Sequence, residues 1–365
     1  MAKNRVFAIH QFNDFSGSPK VLSDALTAIN NKEVPVTLFT SQHKGFLSNL
    51  SCSKVILPYF RFNNKFLVLL FYSINQLMLF FLLGYHLIIA KRNGETPKVL
   101  VNTIMPFSAI LVSRLLSIPV YNYIHEVSVK PFILFRFLRL ISTRFSVHII
   151  CVSEFMVNEL GISDYNNVTV IPNSVGLDWL DKNIIYTVES KFDAPQALMV
   201  GSLKKFKGVD SYIKLAKENP NIQFKIALNC SEGEFLEFEA KYRSSNFLPY
   251  LRPKNIKNLY ASSLFIFNLS KPELCVETFG LTLIEGMSYG CVPIGPQVGG
   301  PAEIIDCSVG LKADYRDLHT ICDFIKHLSE QSNNFQSYYS NCLKRSENYS
   351  FENYSIRLCK VIGIK

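Results

Sequence analysis

The chain has 365 residues, 48% hydrophobic and 18% charged, a composition that excludes a disordered or fibrous protein and a length that exceeds one ordinary core. Its net charge of +9 is uneven: residues 1–180 hold 16 Lys and Arg against 9 Asp and Glu, so +7 of it lies in the first half, which is expected to face something anionic. Nine cysteines, odd in number and lacking a C-x-x-C pair, exclude a disulfide framework and a spaced zinc site and point to a reducing cytoplasm.

Met1 to Arg5 leads straight into a strand-like run ending at His10, with no signal-peptide pattern before it, so secretion is not expected. The first half then alternates short β-rich runs with helical stretches, which predicts βαβ units and a parallel sheet. Its candidate strands are Arg5–His10, Pro35–Thr40, Lys54–Leu57, Lys98–Thr103, Val120–Ile124, His148–Val152 and Val168–Ile171. A loop, Asp14 to Lys20, carries Gly17 between the first strand and a helix from near Val21, and a glycine there lets backbone approach a phosphate. Phe66 to Ala90 is long enough to span a bilayer, but Asn75-Gln76 and His86 interrupt it and Gly84 reads as a helix end. An unusually apolar crossover helix, lying against protein or a membrane surface, is expected instead. Lys130 to Arg144 alternates arginines with bulky apolar residues. Arg136 and Arg139 share one face, with Phe132, Phe135, Leu138 and Ile141 available for burial, which fits either an anionic membrane surface or a solvated core helix. No helix-turn-helix or RNP-like motif accompanies the charge, so no nucleic-acid partner is expected.

A domain boundary is expected after Ile171-Pro172-Asn173, in the polar stretch Asp178–Pro195. Alternation resumes with strand Ala197–Val200, a helix from Val209, strand Gln223–Leu228, an acidic helix Glu232–Tyr242 and strand Phe247–Leu251. A short helix Lys257–Ser262 and a strand Leu264–Leu269 follow, and Asn348 to Ile362 reads as a final helix. The fold class is therefore α/β, two Rossmann-like doubly wound domains facing a central cleft. The expected domains are residues 1–178, 179–345 and a terminal helix, 346–365, returning to the first domain.

The stretch from Lys271 to Ile305, KPELCVETFGLTLIEGMSYGCVPIGPQVGGPAEII, holds the clearest chemistry. Glu277 and Glu285 bracket a helix start at Phe279-Gly280, with Leu281, Ile284 and Met287 as its buried stripe and Gly290 as its stop. Backbone N–H groups at such a start suit a phosphate, and ionised carboxylates suit the hydroxyls of sugars. The alternative is an ordinary amphipathic helix with two surface glutamates, and the pattern leaves both open. Three other polar groups fall at strand ends: His125-Glu126, Ser153-Glu154 and the loop GSLKKFKG, whose Lys204, Lys205 and Lys207 can neutralise a diphosphate.

ETFGLTLIEGMSYGCVPI resembles the E-x7-E signature of the retaining, GT-B-fold glycosyltransferases of family four. GSLKKFKGVDSYIKLA is similar to that family's G-R-L-x-x-x-K-G segment, VIPNSVGLDWL to its V-I-P-N-G-V-D hinge strand, and SGSPKVL to its N-terminal G-G-x-x-x-V loop. The four occur in the family's order over nearly the whole chain. The resemblance implies that Glu277 holds hydroxyls of a donor sugar, that the Phe279-Gly280-Leu281 backbone meets its diphosphate, and that Glu285 accepts from the nucleotide ribose. It further implies that Lys207 clamps the diphosphate, Gly17 lets the N-terminal loop approach it, and His125 lies near the transferred sugar. Two positions depart from the pattern. Ser202 stands where the family has arginine, leaving Lys204 or Lys205 to compensate as point charges, and Ser16-Gly17 replaces a glycine pair.

The expected activity is metal-independent, retaining transfer of a hexosyl group from a nucleotide-diphosphate sugar. No D-x-D pair stands at a strand end, and neither a metal nor a cofactor beyond the donor is implied. A glycan acceptor, lipid-linked and part of surface-polysaccharide assembly such as O-antigen or capsule, is implied at the cytoplasmic face of the membrane, with the protein peripheral there. A nucleotide-sugar-binding scaffold partner with weak activity and a GT-B-fold sugar epimerase are the alternatives.

Overall fold

The computed structural model describes residues 3–60, 62–181, 183–184 and 187–364. Lys182, Ile185 and Tyr186, which fall within the expected linker, lie outside the described residues. Two α/β units are present: Met1–Pro172 with Glu352–Lys365, and Asn173–Phe351.

The first unit runs β1 (Asn4–Ile9), α1 (Gly17–Asn30), β2 (Val36–Thr40), β3 (Ser53–Ile56), α2 (Lys65–Arg92), β4 (Thr96–Asn102), α3 (Phe107–Leu115), β5 (Val120–Ile124), α4 (Phe132–Phe145), β6 (His148–Cys151), α5 (Glu154–Glu159) and β7 (Val168–Val170). The second runs α6 (Val188–Asp193), β8 (Gln196–Gly201), α7 (Val209–Glu218), β9 (Gln223–Leu228), α8 (Glu232–Tyr242), β10 (Phe247–Leu251), α9 (Ile256–Ser262), β11 (Phe265–Phe267), α10 (Leu281–Met287), β12 (Val292–Gly295), α11 (Pro301–Ile304), β13 (Leu311–Lys312), α12 (Leu318–Glu330) and α13 (Ser332–Ser346). The last helix, α14 (Phe351–Ile362), packs in the first unit, where the buried Lys98 ammonium donates to the carbonyls of Ile362 (2.7 Å) and Gly363 (2.6 Å).

Both sheets are parallel, in the orders β3-β2-β1-β4-β5-β6-β7 and β10-β9-β8-β11-β12-β13. The α/β alternation read from the sequence is borne out, because a parallel sheet covered on both faces needs near-continuous apolar strands. Val6 to Ile9 and Val99 to Val101 are such runs in the first unit, and Phe265 to Phe267 is one in the second. Each order reverses direction once, between β1 and β4 in the first sheet and between β8 and β11 in the second.

Four local expectations are corrected. Gly84 does not end a helix: α2 runs unbroken through it, and Gly84 instead lets α3 approach, since a Cβ there would stand 3.1 Å from Val112 Cγ2. Asn75 and Gln76 do not interrupt α2 either, because both amides turn inward. Gln11 Nε2 donates to Asn75 Oδ1 (2.9 Å) and Ser108 Oγ to Gln76 Oε1 (2.9 Å). On α4, Phe135, Leu138 and Ile141 are buried as expected, but Phe132 is 70% exposed. The polar stretch expected as a linker also contains α6, whose Lys191 is fully buried and donates to the carbonyls of Ser263 (2.9 Å) and Tyr289 (2.7 Å). Two acceptors keep that buried ammonium satisfied, while burial lowers its pKa.

Candidate functional site

Ligands of open parallel sheets sit beyond the carboxyl ends of strands, at the point where strand order reverses. In the second unit that point lies past β8 and β11, and both segments singled out in the sequence begin there. After β8 the chain makes a 3-10 turn at Lys205–Lys207 and enters α7 through Gly208, at φ 71°. A Cβ at Gly208 would stand 2.0 Å from the Leu269 carbonyl oxygen, so only glycine lets this loop lie on the one after β11. The Lys271 amide donates to the Phe206 carbonyl (2.7 Å) and fastens the two loops.

This seam brings Lys207 to Glu277, 70 residues apart in sequence: the ammonium donates to Glu277 Oε1 in a close ion pair. Ser270 Oγ lies 3.3 Å from the same oxygen and 2.7 Å from Asn268 Oδ1. Glu277 itself is placed by a second close backbone contact. The Gly300 amide donates to its carbonyl (2.9 Å), and a Cβ at Gly299 would stand 2.4 Å from that carbonyl. Beyond it, Phe279 and Gly280 lead into α10, and the first amides of a helix have no partner within it.

Glu285 lies on α10 and is 7% exposed. The Tyr260 hydroxyl, buried on α9, donates to its Oε2 (2.7 Å), and Trp179 Nε1 donates to Ser288 Oγ (2.9 Å) and packs edge-on against Tyr260. Burial and the adjacent carboxylate raise the Tyr260 pKa well above its usual value, so the phenol keeps its proton and remains a donor. Lys204 and Lys205 are exposed, Lys204 standing over the Phe206 ring. Leu281 opens the first turn of α10.

His125 and Gly17 lie in the first unit, again where strand order reverses. Asn102, the last residue of β4, links two histidines: its Oδ1 accepts from His125 Nε2 (2.8 Å) and its Nδ2 donates to His10 Nδ1 (2.9 Å). The same Nδ2 donates to the Ser18 carbonyl (3.1 Å), which fixes the amide's orientation and ties the Gly17 loop to the cluster. A Cβ at Gly17 would meet nothing within 4 Å, so the space above this turn is open. Burial, and then the neighbouring His10, holds His125 down to about 3, and burial holds His10 down to about 4. Both rings are neutral near pH 7. Burial pushes Glu126 up to about 6, against its bonds from the Ile104 amide (3.1 Å) and the His125 amide (3.3 Å).

The structure thus joins Lys207 to Glu277, shortly before Phe279, Gly280 and Leu281 open α10, buries Glu285 further along that helix, and separately links His125 through Asn102 to the Gly17 loop. Sequence reasoning missed Tyr260, Ser270, Asn102 and His10. Of these, His10 and Asn102 carried a signal, being polar residues at the ends of apolar strands. Tyr260 carried none.

Residues 184–340 match the family model described as glycosyl transferases group 1. Probable sucrose-phosphate synthase 1 of Oryza sativa subsp. indica is 34% identical over 92 residues, which is 25% of this chain and 8% of that one. The chain therefore aligns with less than a tenth of that curated relative. A glycosyltransferase structure from Rickettsia africae ESF-5 shares the fold with a TM-score of 0.77 at 16% identity, over 100% of both chains. HepE from Anabaena, solved in complex with UDP and glucose, gives a TM-score of 0.75 at 14% identity over 99% of both. At such identities the likeness carries the fold alone, two Rossmann-like domains of the GT-B class.

Proposed function

We propose that the chain is a GT-B glycosyltransferase that moves a sugar from a nucleotide-diphosphate donor to a glycan acceptor. The observation that carries this is the Lys207–Glu277 pair, held at the point of strand reversal beside the opening of α10. An ammonium and a row of backbone amides suit a diphosphate, and a carboxylate beside them suits the hydroxyls of the attached sugar. The matched segment, residues 184–340, contains all of these groups.

In this reading the departing diphosphate gains negative charge as the glycosidic bond breaks, and Lys207 with the Gly280 and Leu281 amides stabilises it. Glu277 orients the sugar, held in place by Ser270 and by the backbone contact to Gly300. Glu285, oriented by Tyr260, accepts from the ribose. Lys204 and Lys205 add exposed positive charge in place of the arginine that Ser202 lacks. In the first unit, neutral His125 is suited to a hydrogen bond with a hydroxyl of a sugar substrate. The finer reading is a retaining, metal-independent hexosyltransferase of family four. Its acceptor would be a lipid-linked glycan of surface-polysaccharide assembly, met at the cytoplasmic face of the membrane and supported by the apolar α2 and basic α4.

A thermal-shift screen against nucleotide sugars, followed by assay of released nucleoside diphosphate with lipid-linked acceptors, tests this. At least one donor should raise the melting temperature, and Glu277→Gln should suppress release while leaving that rise in place. If no nucleotide sugar stabilises the protein, the proposal fails. Binding without turnover on any acceptor would favour the scaffold alternative, and an epimerised free donor the epimerase.

A further inference from the structure

α2 sets apolar side chains outward as well as packing leucines inward, and what that outward face implies deepens the membrane-side acceptor of the proposed function. Its inward face carries the two amides, Asn75 and Gln76, and its outward face carries a stripe of Phe66, Leu70, Leu77, Phe81, Tyr85 and Ile88, all exposed. Leu77, Phe81 and Tyr85 are 59%, 63% and 62% exposed. At 1.5 Å per residue the stripe is about 33 Å long, far beyond the scattered apolar residues of an ordinary soluble surface. On α4, which packs on the other side of α3, Ile133 and Leu140 are likewise 78% and 62% exposed. Phe107 of α3 links the two helices beneath these faces, its ring 6.3 Å from Tyr72 on the inward side of α2 and 5.2 Å from Phe137 of α4.

Charge decides what covers this face. Helices α2, α3 and α4 contain no Asp or Glu and carry seven cations: Lys65, Lys91, Arg92, Arg114, Arg136, Arg139 and Arg144. A second copy of the face would set these cations against their like, whereas anionic headgroups complement them. We propose that α2 and α4 form a docking surface for an anionic bilayer. In it α2 lies in the membrane plane with its outward stripe among the acyl chains and its basic ends among the headgroups.

α2 is also the only helix among the described residues that is long and apolar enough to cross a membrane. Crossing would strip it from the sheet. Leu79, Leu83 and Leu87 are fully buried in the core of the first unit, and the bonds of Asn75 to Gln11 and of Gln76 to Ser108 would be lost with them. The inference rests on these helices and not on the donor site.

Vesicle flotation of the full chain tests it, using phosphatidylcholine vesicles with and without phosphatidylglycerol. The wild type should float with the anionic vesicles. Leu77→Glu/Phe81→Glu, at exposed positions, should keep its melting temperature and bind at least about tenfold more weakly. Arg136→Glu/Arg144→Glu should lose the preference for phosphatidylglycerol. No flotation of the wild type, or equal flotation of wild type and Leu77→Glu/Phe81→Glu, overturns the proposal. Resistance to alkaline carbonate extraction overturns the in-plane arrangement in favour of a span. A dimer by light scattering that dissociates on Leu77→Glu/Phe81→Glu overturns it in favour of a second copy.

Discussion

The two sheets reverse their strand order once each, and the groups gathered at the two reversals are opposites. Past β8 and β11 an ammonium meets a carboxylate, Lys207 on Glu277. Past β1 and β4 an asparagine joins two histidines that burial keeps uncharged. The same topology holds an ion pair in one unit and, beside the Glu126 carboxylate, a neutral asparagine–histidine cluster in the other. That difference separates the work each unit can do. A charged site compensates a phosphate, while neutral imidazoles orient hydroxyls without attracting anions.

The comparison breaks most readily on its charged side. Lys207→Ala should lower sugar transfer by roughly 10²–10³-fold, the scale seen when a group stabilising developing charge is removed. Lys204→Ala and Lys205→Ala, at exposed positions, should leave it within about threefold. Equal losses from all three would mean a diffuse field rather than one placed charge.

The neutral side is tested by acid. The folded pKa of His10 and of His125 lies below the ordinary 6.5, so the unfolded chain takes up protons there that the folded chain refuses. Their contribution to stability is complete above 6.5 and declines as the pH falls, toward about 4 for His10 and about 3 for His125. Glu126 runs the other way. Its folded value of about 6 exceeds the ordinary 4.5, so its contribution is present below 4.5 and lost as the pH rises through 6, which offsets part of the histidine loss between those values. Melting temperatures of His125→Gln should therefore drop less than those of the wild type between about pH 7 and about pH 5. Parallel curves would show that His125 titrates normally.

The smallest effect sharpens the comparison within the second unit. Tyr260→Phe removes the hydroxyl that donates to Glu285 Oε2, and a hydrogen bond to a charged group contributes roughly 1.5–3 kcal/mol. Donor affinity by calorimetry should fall about tenfold, and an unchanged affinity would take the ribose role away from Glu285.

Most strands and the opening of α10 at Phe279-Gly280 were legible in the sequence, because burial on both faces writes itself as short apolar runs and glycine marks the turns. What was not legible came from contacts far apart along the chain. Glu277 could be picked out, but its pairing with Lys207 depends on the absence of a side chain at Gly208, which lets two loops touch. Glu285 stood out as a carboxylate, yet its burial beneath Tyr260 follows from how α9 packs beside α10. Gly84 misled for a related reason. A glycine can stop a helix or admit a neighbour, and only the presence of α3 decides between them.

The return of α14 to the first unit has a practical consequence for dissecting the protein. The second unit, Asn173–Phe351, is one uninterrupted length of chain and can be cloned as such. The first unit cannot. Cutting after Pro172 discards α14 and strands the Lys98 ammonium without the two carbonyls that satisfy it. A fragment that keeps the histidine cluster therefore has to be made by splicing Pro172 to Glu352 through a short connector, not by truncation.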